Sequence, residues 1–195
     1  MEDRRIADLR RRLAAHPARR VPREGGLIEA AVTAVLRARD ALELLLIERV
    51  ERAEDPWSGH MALPGGRRDA ADPDVLATAL RETAEEVGII VDPAVELLGA
   101  LDEVHPQTRL LPPLVISPFV AAVGPDVEPR PDPAEVAAAL WVPVGELRDE
   151  GALSEVRFER DGEQLSFPSF HYRGREVWGL THRILVQLFA LLPES

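Results

Sequence analysis

Residues 81–88 read Arg-Glu-Thr-Ala-Glu-Glu-Val-Gly, and this octapeptide decides more about the fold than any other stretch of the chain. An α-helix has 3.6 residues per turn, so side chains three and four positions apart are neighbours on its surface. Glu82, Glu85 and Glu86 therefore share one side of a predicted helix, where their like charges repel each other. The pattern indicates a cation site, and the alternative is an ordinary solvated acidic face.

The predicted helix spans residues 73–87 and has recognisable ends. Asp72 is a suitable N-cap, with Pro73 in the first helical position, and Gly88 provides the C-terminal stop. A second stripe of the helix can be buried against a sheet while the acidic stripe lines a cleft. This stripe consists of Leu76, Ala79, Leu80, Thr83 and Val87.

Two glycines and a proline precede the helix, in Leu63-Pro64-Gly65-Gly66. Glycine has no side chain, so its backbone can approach a ligand or a metal closely. The stretch 66–89 resembles the Nudix box, which reads Gly, five residues, Glu, seven residues, then Arg-Glu-apolar-x-Glu-Glu-x-Gly-apolar. Here Asp72 occupies the first acidic position, the spacing to Arg81 is one residue longer, and Thr83 replaces the usual aliphatic residue.

The resemblance implies an α/β protein, a Nudix-type α/β/α sandwich with a mixed central β-sheet. It also implies a hydrolase that cuts a diphosphate linkage with Mg²⁺ or Mn²⁺ as cofactor. By the same resemblance Glu82 and Glu86 are metal ligands, and the Gly66 carbonyl is an additional one. Glu85 is a third ligand or orients the attacking water. Arg81 belongs to the catalytic group by bracing the carboxylates.

This chemistry is physically reasonable for an acidic helix face. A diphosphate anion binds there only through divalent cations that bridge carboxylate and phosphate oxygens. The chain has no cysteine, which argues against a thiolate metal site. The substrate candidates are Arg67 beside the glycines, His105 and Arg109 in a loop that contacts substrate in many Nudix proteins, and the downstream Glu135. For the loop, a solvated turn is the alternative.

Apolar runs outside the box predict further elements. Ile6, Leu9 and Leu13 recur at helical spacing, which predicts a basic N-terminal helix. Its acidic residues argue against a transit peptide. Residues 136–144 predict a short helical turn and then a strand, and the last helix has Ile184, Leu188 and Leu191 on its buried side. Strands are predicted at residues 30–36, 42–50, 95–101 and 114–123, with a Pro-rich loop at 124–133.

Length and composition set broad limits. The 195 residues are 46% hydrophobic, enough for one core. We divide them into an N-terminal helical extension (1–24) and a Nudix hydrolase domain (25–195). The net charge of −11 disfavours nucleic acid as a partner, and no apolar run is long enough to span a membrane. The absence of cysteine fits a cytoplasmic location. The expected partner is a small-molecule diphosphate, and the oligomeric state stays open.

Two segments outside the box are similar to the coenzyme A pyrophosphatase-like branch of the family. Trp178-Gly179-Leu180-Thr181 opens the last helix, and Gly59 stands upstream of the two box glycines, as in that branch. The usual Thr-rich stretch is replaced here by Glu48-Arg49-Val50-Glu51, and Asp55 stands in place of an arginine. The implied substrate is coenzyme A or a derivative, giving 3′,5′-ADP and a 4′-phosphopantetheine product. The alternatives are ADP-ribose, nucleotide sugars, dinucleotides or nucleoside triphosphates, and a non-catalytic nucleotide-binding module.

Overall fold

The computed structural model describes residues 2–23, 26–50, 60–94, 96–106, 113–160 and 163–193. Its helices are α1 (Arg4–Ala15), α2 (Val75–Val87), α3 (Val144–Arg148) and α4 (Gly179–Ala190), with a 3₁₀ turn at Glu150–Ala152. Its strands are β1 (Ile28–Ala38), β2 (Leu42–Arg49), β3 (Met61–Ala62), β4 (Gly65–Arg67), β5 (Leu97–Ala100), β6 (Leu114–Val123), β7 (Val136–Pro143), β8 (Leu153–Arg160), β9 (Glu163–Tyr172) and β10 (Arg175–Trp178).

Seven strands form the main sheet, in the order β3-β2-β1-β6-β5, with β4 paired to β1 and β7 paired to β2. Strands β1 and β6 run parallel, from the Ile28–Leu114 pair to the Arg37–Val123 pair. The other pairings in this sheet are antiparallel. The sheet is therefore mixed, as predicted.

The central strands are buried on both faces, which explains their unbroken apolar sequence. In β2, Leu44 and Leu46 belong to a cluster that includes the apolar residues of α1 and α4. Leu45 and Ile47 point to the opposite face and share a cluster with Val87 of α2. Helices thus cover both faces of the sheet, and the α/β/α sandwich is confirmed.

Helix α2 begins later than predicted. Its N-cap is Asp74, whose carboxylate accepts a hydrogen bond from the Ala77 N–H at 2.8 Å. The prediction of Asp72 as the N-cap is wrong, because its carboxylate accepts hydrogen bonds from Thr78 and Arg81 instead. The C-terminal stop is confirmed, since Gly88 adopts the left-handed conformation with φ 65°.

The terminal helices contribute to the core as predicted. In α1, Ile6, Leu9 and Leu13 are buried. In α4 the buried residues are Ile184, Leu185 and Leu188, whereas Leu191 is only partly buried. No helix among the described residues is long and apolar enough to cross a membrane.

The strand predictions hold, with one error in order. Strand β6 has the predicted bounds, β1 is longer at both ends, and β2 is one residue shorter. Residues 136–144 form a strand first and a helical turn afterwards, so the predicted order is wrong. The reason is that β7 pairs with β2 along almost its whole length, from Glu43–Pro143 to Arg49–Val136.

A second, three-stranded sheet is an element that sequence reasoning missed. Its order is β10-β9-β8, and β8 and β9 form an antiparallel hairpin. The sequence of β8, Leu-Ser-Glu-Val-Arg-Phe-Glu-Arg, has a period of two that could have indicated it. An ion pair of 3.0 Å between Arg175 and Glu48 links this sheet to the end of β2.

Candidate active site

A cleft of about 690 Å³ opens between β4, α2 and the start of α4. One end of it is acidic and contains the side chains of Glu82, Glu86 and Glu135. The two box glycines, Gly65 and Gly66, lie at the same end because β4 pairs with β1 there. The folded chain therefore brings the predicted glycine and glutamate motifs to one site.

Glu86 is the most buried carboxylate of the cleft, with 3% of its surface exposed. Its Oε2 accepts a hydrogen bond of 2.8 Å from the Gly65 N–H. Burial, together with the nearby charge of Glu82, raises the pKa of Glu86 to about 7, against the effect of this hydrogen bond. An anionic Glu86 would thus be stabilised by a cation.

Glu82 lies directly beside Gly66. Burial raises the pKa of Glu82, while its interaction with Arg81 opposes this rise. A Cβ atom at Gly66 would lie only 2.5 Å from the Glu82 Cδ, so the side chain of any other residue would displace the carboxylate. Glycine at this position lets the backbone approach Glu82 without moving the carboxylate.

The donor set of Glu82 and Glu86 fits a hard divalent cation. Burial raises the pKa values of both carboxylates, and their oxygens are the ligands that Mg²⁺ and Mn²⁺ prefer. Within the described part of the chain, however, no three His, Asp or Glu side chains form a complete metal-binding group. Glu82 and Glu86 are therefore two residues that could hold part of the coordination shell of such a cation.

Arg81 is not part of the cleft lining, and its guanidinium group binds several carboxylates at once. Its Nε and Nη2 donate to the two oxygens of Asp72 at 3.0 and 2.9 Å. Its Nη1 donates to Glu82 at 2.9 Å and to Glu85 at 2.7 Å. These bonds from Arg81 hold the pKa of Asp72 well below its usual range. The side chain of Glu85 is 58% exposed and is not part of the cleft lining.

The substrate candidates are placed differently from one another. Arg67 and Glu135 line the cleft, and the charge of Glu135 contributes to the raised pKa of both Glu82 and Glu86. His105 is not part of the lining, and its Nδ1 lies 2.7 Å from the Leu114 carbonyl oxygen. Arg109 lies outside the described residues.

Arg49 is a cleft residue that sequence reasoning did not select. The pairing of β2 with β7 shifts register between Glu48 and Arg49, and such a bulge re-aims the side chains around it. The positive charge of Arg49 lowers the pKa of Glu86, so the two side chains interact. In the sequence, the only indication of this role was the position of Arg49 as a charged residue at the end of the apolar strand β2.

The cleft lining also includes an apolar wall, which we define as Leu114, Ile116, Leu180 and Ile184. These residues belong to the main hydrophobic cluster or pack against it. Trp178 also lines the cleft, at the junction of β10 and α4. The site therefore combines acidic residues with a surface suited to apolar or aromatic groups.

Comparison with known proteins identifies the family of this fold and site. A family model described as the NUDIX domain matches residues 27–161. The Nudix hydrolase NudL of Photorhabdus laumondii, itself uncharacterized, is 33% identical over 74% of this chain and 74% of its own length. The human mitochondrial coenzyme A diphosphatase NUDT8 is 33% identical over 78% of this chain and 70% of its own length.

A solved structure supports the architecture. The MutT/nudix family protein from Enterococcus faecalis aligns with a TM-score of 0.61 at 18% identity. The alignment covers 88% of this chain and 64% of that protein. At this level of identity the likeness concerns the fold.

Proposed function

The chain belongs to the Nudix family of hydrolases, and from this premise we propose that it cleaves a diphosphate linkage in a nucleotide-type substrate with the help of Mg²⁺ or Mn²⁺. The pair of Glu82 and Glu86 supports the proposal. Burial raises the pKa values of both carboxylates, and a divalent cation would stabilise their charged forms. In this proposal the Gly66 carbonyl is the further protein ligand, because Glu85 is exposed outside the cleft lining and pairs with Arg81.

Each residue of the site has a defined task in this proposal. When bound, the metal neutralises phosphate charge and lowers the pKa of the attacking water. Glu82 and Glu86 hold it, and Arg81 fixes the position of Glu82 through a bond of 2.9 Å. Gly66 leaves the room that the Glu82 carboxylate needs. Arg49 and Arg67 supply positive charge to the phosphate oxygens from other parts of the lining.

For the substrate, we propose coenzyme A or a coenzyme A derivative, which gives 3′,5′-ADP and a 4′-phosphopantetheine product. The observation that carries this choice is the apolar wall, because the long pantetheine arm and a thioester-linked chain gain from apolar contact. The hydroxyl groups of a nucleotide sugar would lose water there without gaining hydrogen-bond partners. The name of the human relative, a coenzyme A diphosphatase, points the same way.

The first experiment is a substrate panel analysed by mass spectrometry with Mg²⁺ or Mn²⁺ present. It includes coenzyme A, acyl-coenzyme A, ADP-ribose, NADH, nucleotide sugars and nucleoside triphosphates. Release of 3′,5′-ADP from coenzyme A is the expected result. Turnover of a different compound would overturn the substrate proposal and keep the diphosphatase, whereas no metal-dependent turnover of any compound would favour a non-catalytic nucleotide-binding module.

The substitution Glu86→Gln tests the metal site. We expect turnover to fall by orders of magnitude, because the amide carries no charge for the cation, while its oxygen still accepts the Gly65 N–H and keeps the fold. Turnover and a thermal melt are measured together. Glu155→Gln, on the exposed β8, is the control and stays active. Near-normal, metal-dependent turnover of the Glu86 variant would refute its role as a ligand.

The cytoplasm is the location we propose, on the absence of cysteine. The human relative is named as a mitochondrial protein, and detection of this protein in cell fractions would decide between compartments. The acidic body of the chain supports a small-molecule substrate in preference to nucleic acid.

A further inference from the structure

Four rings from separate segments meet at the Trp178 end of the cleft, and we call them the ring cluster: His60, Phe158, Phe167 and Trp178. The centroid of Trp178 lies 4.9 Å from that of His60, 5.6 Å from that of Phe158 and 5.7 Å from that of Phe167. His60 and Trp178 are themselves part of the cleft lining. The ring cluster is therefore continuous with the proposed active site.

The ring cluster is separate from the folding core. None of its members belongs to the three hydrophobic clusters found among the described residues, and all four are only half-buried. The chain is poor in aromatic residues, with five Phe, three Trp and one Tyr. Three of these nine rings at the edge of one cleft, outside the core, suggest a surface for a ligand.

The rings around Trp178 meet the indole at steep angles. Trp178 meets His60, Phe158 and Phe167 at interplanar angles of 66°, 62° and 54°. Among the described residues, no ring of the cluster lies parallel to the indole. Aromatic rings favour either edge-to-face or offset parallel contacts, and Trp178 lines the cleft in which a flat group of the substrate would lie.

The backbone at Trp178 is held by β10 before it and by the start of α4 after it. It pairs with Ser169 at the end of β10, and the Arg175–Glu48 ion pair holds the same strand against the main sheet. Gly179 follows with φ 64°, which lets the chain pass directly from β10 into α4. The indole is thus held by the backbone at the edge of the cleft.

We propose that Trp178 is the stacking platform for the nucleobase of the diphosphate substrate. This inference rests on the proposed function, because the base is the planar part of a nucleotide-type substrate and the diphosphate lies at Glu82 and Glu86. Every nucleobase has a π-face, and its stacking on an aromatic side chain is sensitive to removal of the ring. Phe158 and Phe167, whose ring centroids lie 5.6 and 5.7 Å from that of Trp178, act as positioning residues for the indole.

The test measures binding without turnover, with Mg²⁺ present, because neither AMP nor ribose 5-phosphate has a diphosphate linkage to cleave. AMP and ribose 5-phosphate are titrated by calorimetry into the parent protein, Trp178→Leu and Trp178→Phe. We expect AMP to bind the Leu variant about 5- to 100-fold more weakly and the Phe variant within about 3-fold of the parent, since Phe retains a stacking face. Ribose 5-phosphate, which lacks the base, should bind all three proteins equally.

A matched control uses another tryptophan. Trp141 lies on β7, outside the cleft lining, with its ring 4.3 Å from the Arg37 guanidinium. Trp141→Leu should leave AMP binding unchanged, and thermal melts of all variants check folding. With coenzyme A as substrate, Trp178→Leu should raise KM and leave kcat within a few-fold.

Several results would overturn the inference. Equal binding of AMP and ribose 5-phosphate by the parent protein would show that the base makes no contact. Equal loss of both ligands in Trp178→Leu would show general damage to the site. An effect that grows with acyl chain length and spares AMP would assign the ring cluster to the acyl arm. AMP binding that depends on Trp178, in a protein that cleaves no diphosphate, would refute the proposed function and leave the base site standing.

Discussion

Arg81 illustrates how much of the site depends on one residue's geometry. Its guanidinium group satisfies Asp72, Glu82 and Glu85 simultaneously, through four hydrogen bonds between 2.7 and 3.0 Å. The planar fork of arginine allows the paired contact with Asp72, which a lysine ammonium group does not reproduce. Arg81 thus holds the carboxylates of Asp72, Glu82 and Glu85 in fixed positions relative to one another.

The substitution Arg81→Lys tests this orienting role. We expect Mn²⁺ affinity to fall by about 10- to 100-fold, as is typical when a partner behind a metal ligand is altered. Calorimetric titration with Mn²⁺ gives the affinity. Arg157→Lys removes a similar paired contact, with Glu155, at the exposed hairpin and should bind Mn²⁺ normally. Unchanged affinity in the Arg81 variant would contradict the assignment.

Glu103 is a buried acid that sequence reasoning did not notice. Its carboxylate accepts hydrogen bonds from Arg23, the Val21 N–H and Ser117. Burial alone would raise the pKa of Glu103, but these bonds outweigh it and lower the pKa to about 2, compared with an ordinary value of 4.5. The charged form therefore stabilises the fold and holds the segment that follows α1.

This network predicts a pH dependence of stability. Because the folded pKa is depressed, the stabilisation from Glu103 is complete above about pH 4.5 and is lost as the pH falls towards 2. Glu103→Gln should lose roughly 1–3 kcal/mol at pH 7 and show a smaller further loss between pH 5 and pH 3 than the parent. Urea unfolding at several pH values measures this. Parallel pH curves for the two proteins would refute the assignment.

At the scale of elements, the start of α2 separates two neighbouring acids that look alike in sequence. Asp74 caps the helix, whereas Asp72 binds Arg81 and Thr78. The same helix also accommodates its unusual Thr83, whose hydroxyl lies 2.9 Å from that of Thr33 in the core. Two departures from the common box pattern, Asp72 and Thr83, thus have hydrogen-bond partners in the fold.

The pair Asp74→Ala and Asp72→Ala should separate capping from orientation. Loss of the cap in Asp74→Ala is expected to cost about 1 kcal/mol with little change in turnover. Asp72→Ala removes the paired partner of Arg81 and should reduce turnover more strongly. Denaturant unfolding and steady-state kinetics are measured on both. If the two variants behaved identically, the distinct roles would be disproved.

At the scale of the whole molecule, α1 is part of the main core. Its buried side chains share a cluster with residues of β1, β2 and α4, and the Leu13 Cβ would lie only 3.0 Å from a Cβ at Gly99. Arg10 donates a further bond of 2.9 Å to the Leu97 carbonyl. The division into residues 1–24 and 25–195 stays a prediction, and the packing suggests that both parts fold together.

The substitution Leu9→Ala tests this cooperation. Leu9 is fully buried, so its truncation should lower the free energy of unfolding by about 2–5 kcal/mol. Val186→Ala is the control and should have a small effect, because Val186 on α4 is 48% exposed. Denaturant unfolding gives both values. A small loss for Leu9→Ala would indicate that α1 packs weakly and is an independent extension.

The sequence by itself determined the local features. Helical spacing predicted that Glu82 and Glu86 share one side of α2, and apolar runs predicted β1, β2 and β6. The end of α2 at Gly88 was predicted because glycine readily adopts the left-handed backbone conformation of a helix C-terminus. These features depend on residues a few positions apart, so backbone geometry and short-range sterics suffice to predict them. The mixed sheet followed from the family resemblance.

Only the tertiary structure decided which distant residues meet. The β2–β7 pairing made residues 136–143 a strand, and the fold brought Arg49, Glu135 and Trp178 into one cleft with Glu86. It also turned Glu85 towards solvent, although Glu85 has the same helical spacing as its neighbours. Such outcomes depend on packing between segments far apart in the chain, and burial of a side chain there also sets its pKa.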